Sequence, residues 1–196
     1  MTALPSQPRH LLTVADYLAL GGDPDGVRYE LQEGVLVMAA SPFPRHQRCL
    51  LRLGAQLEAQ LPQHLDVFPD VDIDLQLVPP TRPGTVRRPD LAVVTQAGFE
   101  RREREGGVLR ASELVVAIEI LSPGSVRVDR VLKNSEYADA GVPYYWLVDI
   151  GESGDRPQLT AHHLAGAFGY VGAGSVAGSY IATEPFPVRV DLDALV

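Results

Sequence analysis

The chain carries the stretch Leu114-Val115-Val116-Ala117-Ile118-Glu119-Ile120-Leu121, which is almost wholly apolar and holds a single carboxylate. An apolar run of this length is typical of a strand buried in the core of a sheet. A charged side chain inside such a strand is unfavourable unless it is paired or holds a cation. The stretch therefore predicts a core strand and, at Glu119, a candidate functional residue.

A second acid-bearing strand is predicted upstream, where Asp90 opens a short apolar run. Alternate residues of a strand share a face, so Glu119 shares its face with Ala117, and Asp90 with Ala92. If the two strands are neighbours, both carboxylates project from the same end of one face. Adjacent carboxylates repel each other unless a cation lies between them. Mg²⁺ suits such a pair because it takes oxygen ligands and keeps several waters, and Mn²⁺ would be a substitute.

Each acid also has a simpler interpretation. Glu119 would form a buried ion pair with an arginine, and Asp90 would merely begin a strand or turn, as Pro-Asp sequences often do. The occurrence of the two acids on two strands favours the metal site over these alternatives.

A helix is predicted over residues 126–140, directly after the acid-bearing strand. Asp129 and Lys133 are four residues apart on it and so lie on one face. One interpretation is a surface salt bridge between them, worth about 1 kcal/mol at most. The other directs Lys133 back towards Glu119, where a lysine would orient the attacking water and offset charge on a phosphate.

Glu30 is a further candidate catalytic residue, and His46, Asp129 and Arg88 are candidate accessories of this site. Glu30 lies in a predicted hairpin and would bind metal through water, hold a site arginine, or be only an exposed strand carboxylate. His46 lies near the start of a predicted helix, where a lone histidine is more often structural. Arg88 belongs to a cluster of arginines that precedes Asp90 and makes the region locally basic.

The remaining periodicities predict the other elements of the fold. They comprise a helix capped by Thr13, a hairpin over 29–38, an amphipathic helix of about four turns that follows Pro44 and carries Leu50, Leu53, Leu57 and Leu61, one half-exposed strand over 67–78, a buried strand over 145–150, and glycine-rich strands near the C-terminus. This order predicts an α+β fold with α/β-like character, in which a mixed sheet is flanked by helices and carries extra hairpins.

Composition limits the class of protein. The 196 residues are 45% hydrophobic and 21% charged, which fits a single globular domain over residues 1–196. The single cysteine, Cys49, excludes an internal disulfide, and no signal peptide or 18-residue apolar run occurs, so we expect a cytoplasmic protein without a membrane segment. The net charge of −8 argues against a broadly basic nucleic-acid-binding surface.

A series of motifs along the chain resembles a known family. The motifs occur in the order Tyr29-Glu30-Leu31 with Gly34, Ser41-Pro42 with His46, Pro89-Asp90, Glu119-Ile120-Leu121-Ser122-Pro123, Asp129, Lys133, Tyr137 and Gly141-Val142-Pro143-Tyr144-Tyr145-Trp146-Leu147-Val148-Asp149. This set resembles the Uma-two family of bacterial proteins, described as restriction endonucleases within the PD-(D/E)XK nuclease superfamily. The likeness covers residues 10–172.

The resemblance implies a restriction-endonuclease-like core with Asp90 and Glu119 as metal ligands and Lys133 as the catalytic lysine. Glu30 corresponds to an upstream acidic position of the family. The sequence departs from the superfamily pattern at Leu121, where the superfamily lysine normally stands. The family places its lysine on the next helix, where Lys133 matches.

These observations support one leading hypothesis and two alternatives. The leading hypothesis is an Mg²⁺-dependent endonuclease that hydrolyses phosphodiester bonds in DNA and, by the resemblance, acts as a homodimer. The first alternative is a catalytically inactive nuclease fold that binds nucleic acid or a protein partner, which Leu121 and the acidic net charge favour. The second is a metal-dependent hydrolase of a small phosphate ester.

Overall fold

The computed structural model describes residues 10–21, 27–38, 43–121, 129–152 and 154–196. Parts of the motif series, namely Ser41-Pro42 and Ser122-Pro123, lie outside these ranges. The side chain of Asp129 also lies outside the described part of the molecule.

Four α-helices are interspersed among the strands of the described chain. In order, the helices and strands are α1 (Val14–Ala19), β1 (Tyr29–Gln32), β2 (Val35–Met38), α2 (Pro44–Glu58), β3 (Leu65–Pro69), β4 (Ile73–Asp74), β5 (Val86–Arg87), β6 (Leu91–Thr95), α3 (Gln96–Glu105), β7 (Leu109–Arg110), β8 (Leu114–Leu121), α4 (Asn134–Asp139), β9 (Tyr144–Asp149), β10 (Gln158–Leu164), β11 (Tyr170–Gly172), β12 (Val176–Ala177), β13 (Ser179–Ala182) and β14 (Val188–Asp191). A π-helical segment, Asp129–Lys133, runs directly into α4.

The larger sheet has β8 in its interior, as the apolar stretch predicts. Its strand order is β11-β10-β9-β8-β6-β3, with β12 pairing β10. Strand β8 is antiparallel to β6 and parallel to β9, so the sheet is mixed. Seven of the eight residues of β8 are buried, because helices and a C-terminal hairpin cover the sheet. The predicted α+β fold with a mixed, helix-flanked sheet is confirmed.

A second sheet lies beside the first and supplies part of the candidate site. Its strand order is β2-β1-β5-β4-β7. The predicted hairpin over 29–38 is its β1–β2 pair, which turns at Glu33 and Gly34, both with positive φ. Gly34 is required there for space as well, since a Cβ atom would lie 2.7 Å from the Cβ of Pro83.

Helix α2 covers one face of the larger sheet. Its buried residues Leu50, Leu53 and Leu57 follow the predicted helical spacing and pack in the main hydrophobic cluster. The helix begins earlier than the apolar pattern indicates, at Pro44, because proline is favourable at the first helical position. It ends at Glu58, so that Leu61 lies beyond it. The amphipathic helix is confirmed with shifted bounds.

The single strand predicted over 67–78 is wrong. The segment is divided between β3, which pairs β6 in the larger sheet, and β4, which pairs β5 in the second sheet. The break is at Asp70, whose φ of 52° turns the chain out of the first sheet. Local alternation continues across the break and therefore hides it.

The helix predicted over 126–140 is only partly α-helical in its described residues. The described part consists of the π-helical segment Asp129–Lys133 followed by α4, and its earlier residues lie outside the described ranges. Gly141 follows with a φ of 75°, as expected of a glycine after a helix end.

Among the described residues, no helix combines the length and the apolar character that crossing a bilayer requires.

Candidate active site

The two predicted acidic strands are direct neighbours in the larger sheet. Strands β6 and β8 pair with Leu91 opposite Ile118, and one further step in this register places Asp90 opposite Glu119. The backbone N–H of Ile120 donates to Asp90 Oδ2 at 2.6 Å, which fixes that carboxylate beside the peptide that follows Glu119. The structure therefore brings the two acids to one end of the strand pair.

Glu119 is the most deeply buried acid of the site, with 4% of its surface exposed. Lys133 Nζ lies 3.0 Å from Glu119 Oε1, and the hydroxyl of Tyr137 donates to the same oxygen at 3.3 Å. Burial raises the pKa of Tyr137 well above its usual value, and the negative charges of Glu119 and Glu30 raise it further. Tyr137 is therefore a neutral hydrogen-bond donor at ordinary pH.

Lys133 is directed to Glu119, as the second interpretation of its helix position predicts. Its exposed fraction is 8%, and its Nζ also lies 3.4 Å from Glu30 Oε1. The π-helical segment ends at Lys133, and such segments are frequent at functional sites. Lys133 is therefore a buried residue beside Glu119 and Glu30 and not a surface lysine.

Glu30 is a buried carboxylate and not an exposed strand residue. Its Oε2 accepts a bond from Arg87 Nη1 at 2.8 Å, and its Oε1 accepts one from the backbone N–H of Arg88 at 2.9 Å. Burial raises the pKa of Glu30, but the charges of Lys133 and Arg87 and the Arg88 N–H outweigh burial and lower it below 4.5. Of the alternatives for Glu30, holding a site arginine is the one that the structure shows.

Arg87 is the residue of this network that sequence reasoning missed. Only 1% of its surface is exposed, and it forms a bidentate pair with Glu136 through bonds of 2.6 and 2.7 Å as well as the bond to Glu30. It lies in a two-residue strand, too short for periodicity to reveal which of the neighbouring arginines is buried. The two partners are 49 and 57 residues away in sequence.

A compositional signal for the lysine was available in the sequence. Lys133 is the only lysine of the chain, whereas the chain has sixteen arginines. Lysine and arginine differ in the shape of their charged groups, and lysine supplies a compact point charge. A chain that uses arginine everywhere else and keeps one buried lysine indicates a specific role for that ammonium.

His46 contacts the other acid from helix α2. Its Nε2 lies 3.2 Å from Asp90 Oδ1, and the side chain is nearly buried. Burial lowers the pKa of His46, but the hydrogen bond to Asp90 and the negative charge of Asp90 outweigh burial. The pKa of His46 is therefore raised above its usual value. Its Nδ1 has no hydrogen-bond partner among the described residues. His46 is therefore placed to orient Asp90.

Arg88 joins the site through its backbone. Its side chain pairs with Asp72 through Nε at 2.7 Å, and Asp72 also accepts a bond from Tyr17. The Arg88 N–H meanwhile donates to Glu30, so the residue links the carboxylate to the second sheet.

The donor set at the strand ends fits a hard divalent cation. Asp90 and Glu119 supply carboxylate oxygens, and Mg²⁺ in proteins commonly takes one or two carboxylates and completes its shell with water and substrate phosphate. Within the described ranges, no group of three histidine, cysteine or acidic side chains is arranged to hold a metal ion. Carboxylates nonetheless outnumber cations among the described side chains here, with Asp90, Glu119, Glu30 and Glu136 beside Arg87 and Lys133.

Comparison with known proteins identifies the family and the fold. The Uma2 family model, described as "Putative restriction endonuclease", matches residues 14–178. No curated protein matches the chain. Among solved structures, the chain is similar to a "putative nuclease belonging to DUF820" from Anabaena variabilis ATCC 29413, with a TM-score of 0.65 and 16% identity over 94% of this chain and 97% of that chain. This structural likeness shows the fold alone. The family match confirms the resemblance to the Uma-two family that the motifs indicate.

Proposed function

The chain belongs to the Uma2 family, and on that premise we propose that it is a divalent-metal-dependent endonuclease that hydrolyses phosphodiester bonds in DNA. The observation that carries the proposal is the contact of 3.0 Å between Lys133 Nζ and Glu119 Oε1. It places an ammonium beside a buried acid at the end of a strand pair that also bears Asp90. Two acids can hold a metal ion that activates water, and a nearby lysine can stabilise negative charge on a phosphate.

Each residue has a distinct role in this proposal. Asp90 and Glu119 would hold Mg²⁺ or Mn²⁺, which when bound supplies an activated water and stabilises charge on the phosphate. Lys133, held by Glu119 and Glu30, would donate a hydrogen bond to the nucleophile or to a phosphate oxygen. Glu30 holds the lysine from its other side, and His46 orients Asp90.

The position of the lysine supports catalytic competence despite the departure at Leu121. Leu121 is 2% exposed and packs in the hydrophobic cluster that also contains Tyr137 and Leu147, so this position serves the core. Lys133 reaches Glu119 from the following helix and would supply the same ammonium from another backbone position.

Cleavage of supercoiled plasmid in Mg²⁺ or Mn²⁺ tests the proposal directly. We expect wild type to nick or cut the plasmid and Glu119→Gln to lose that activity. Glu113→Gln is a matched control because Glu113, like Glu119, is a largely buried acid paired with a basic side chain, here Arg101, outside the site. Full metal-dependent cleavage by Glu119→Gln would contradict the assignment.

A nuclease fold that binds nucleic acid without cutting it is the second candidate. Leu121 in the usual lysine position and the net charge of −8 favour it. This candidate predicts DNA binding that does not change in Glu119→Gln, together with no cleavage by wild type in either metal.

DNA as the substrate and a homodimer as the active species are both part of the proposal. A dimer would supply two active sites, one for each strand of a duplex. Light scattering during size-exclusion chromatography measures the molar mass and tests the dimer. Cleavage of plasmid DNA in competition with RNA tests the substrate.

A further inference from the structure

We propose that Arg87 is a positioning residue of this site. It fixes the position of the Lys133 ammonium by binding Glu136, on the helix that follows Lys133, and Glu30, whose carboxylate contacts Lys133. The catalytic consequence rests on the proposed nuclease function. The placement of Lys133 in the free protein does not depend on that function.

Arg87 holds the helix through Glu136. Glu136 is three residues after Lys133 and therefore on the same side of the helical segment. Its two carboxylate oxygens accept bonds from Arg87 Nε and Nη2 at 2.6 and 2.7 Å. A bidentate pair of this kind fixes orientation as well as distance. The backbone of α4 is thereby tied to strand β5.

Arg87 holds the receiving carboxylate through its remaining nitrogen. Nη1 donates to Glu30 Oε2 at 2.8 Å, which leaves Glu30 Oε1 directed to Lys133 Nζ at 3.4 Å and to the Arg88 N–H. Glu119 then binds the same ammonium on the side of the larger sheet. Lys133 is therefore held between the two sheets, and Arg87 determines where one of the two carboxylates lies.

Only an arginine can make this set of contacts from one position. Its planar guanidinium presents several N–H donors in a fixed geometry, whereas an ammonium is a point charge that cannot pair bidentately with one acid while reaching another. Without Arg87, the buried carboxylates of Glu30 and Glu136 would lose their shared cation. Among the described cations of this network, Lys133 would then be the one left to pair with both. We expect Lys133 then to shift away from Glu119.

The unique lysine makes this displacement measurable. An N-hydroxysuccinimide ester modifies lysine and the terminal amine, so mass spectrometry follows Lys133 alone, with the amino terminus as internal reference. Buried as it is, Lys133 should react slowly in wild type. In Arg87→Met we expect its relative labelling rate to rise about tenfold, because the constraint from Glu30 and Glu136 is lost.

Cleavage kinetics on the same preparations give the second readout. Misplacing a catalytic group by about 1 Å costs about 100-fold in turnover. We therefore expect kcat of Arg87→Met to fall by that order while KM for plasmid changes little. Arg101→Met is the matched control, since Arg101 also pairs bidentately with an acid, Glu113, and should leave labelling of Lys133 and kcat at wild-type values.

Each outcome decides the proposal. Wild-type labelling of Lys133 in folded Arg87→Met would overturn it, as would a loss of turnover without faster labelling. If wild type cuts no nucleic acid, the proposed function fails, while the labelling comparison still decides the positioning claim. If Arg87→Met does not fold, Glu136→Gln replaces it, because that variant loosens the helix and keeps the Arg87–Glu30 pair. A wild-type labelling rate in Glu136→Gln would equally overturn the proposal.

Discussion

Lys133 Nζ lies 3.0 Å from Glu119 Oε1, although Glu119 belongs to a core strand and Lys133 ends a π-helical segment 14 residues later. The contact forms because the helical segment returns over the larger sheet and packs Tyr137 against it. A lysine is costly to bury unless acids surround it, and Glu119 and Glu30 meet that condition. The pair therefore places a constrained ammonium at the end of the acid-bearing strands.

Replacement of this lysine should separate catalysis from metal binding. In Lys133→Met the apolar stem is kept and the ammonium is lost, so we expect plasmid cleavage to slow by about 100-fold or more. Mn²⁺ affinity should stay the same or rise, because a cation that competes for Glu119 is gone. Single-turnover cleavage and calorimetric titration measure the two effects, with an unfolding curve to confirm the fold. Cleavage at the wild-type rate would contradict a role for Lys133.

Changes at the two strand acids should weaken metal binding directly. Asp90→Asn keeps an oxygen that can accept the Ile120 N–H, so we expect the fold to survive while Mn²⁺ affinity falls by about tenfold or more. Glu119→Gln should behave similarly. Calorimetric titration measures the affinities, and Glu113→Gln should match wild type. Equal affinity in all four proteins would remove Asp90 and Glu119 from the metal site.

Acid sensitivity should depend on Glu30. Its pKa is lowered in the folded protein, so its ionised form stabilises the fold above about pH 4.5, and this contribution is lost as pH falls through the lowered pKa. We expect wild type to lose stability below pH 4.5 more steeply than Glu30→Gln, which has no such proton to bind. Urea unfolding from about pH 7 to about pH 3 gives the slopes. The exposed Glu58→Gln should follow wild type, and equal slopes for wild type and Glu30→Gln would show that Glu30 is not linked to folding in this way.

The hairpin turn should tolerate alanine poorly at one glycine. Gly34 has a φ of 84°, and an added Cβ would lie 2.7 Å from Pro83 and 2.8 Å from Leu11, so Gly34→Ala combines backbone strain with a clash. Gly21 has a φ of 79°, and a Cβ added there would meet no heavy atom of the described residues within 4 Å, so Gly21→Ala isolates the strain, about 1 kcal/mol. Chemical denaturation should show the larger loss for Gly34→Ala. Equal losses would mean that the surroundings of Gly34 relax.

Much of the site could be predicted because its signals are local. The buried carboxylate at Glu119, the acid that opens β6 at Asp90, and the lysine on the following helix are each visible from residue type and neighbouring apolar residues. The same holds for the spacing of Leu50, Leu53 and Leu57 in α2, which the packing confirms. Side-chain periodicity is a property of the backbone conformation and needs no knowledge of distant contacts.

Residue types and their local periodicity are enough to predict the core strand at Glu119, the acid at Asp90 and the elements on which both lie. Long-range packing is needed to establish which arginine is buried, that Glu30 binds Arg87 and Lys133, and that the segment around Asp70 divides between two sheets. These outcomes depend on contacts between elements that are distant in sequence, where no local period constrains the partner. A buried charge is stable only where an opposite charge meets it, and only the packing of the two sheets against α4 specifies where that happens.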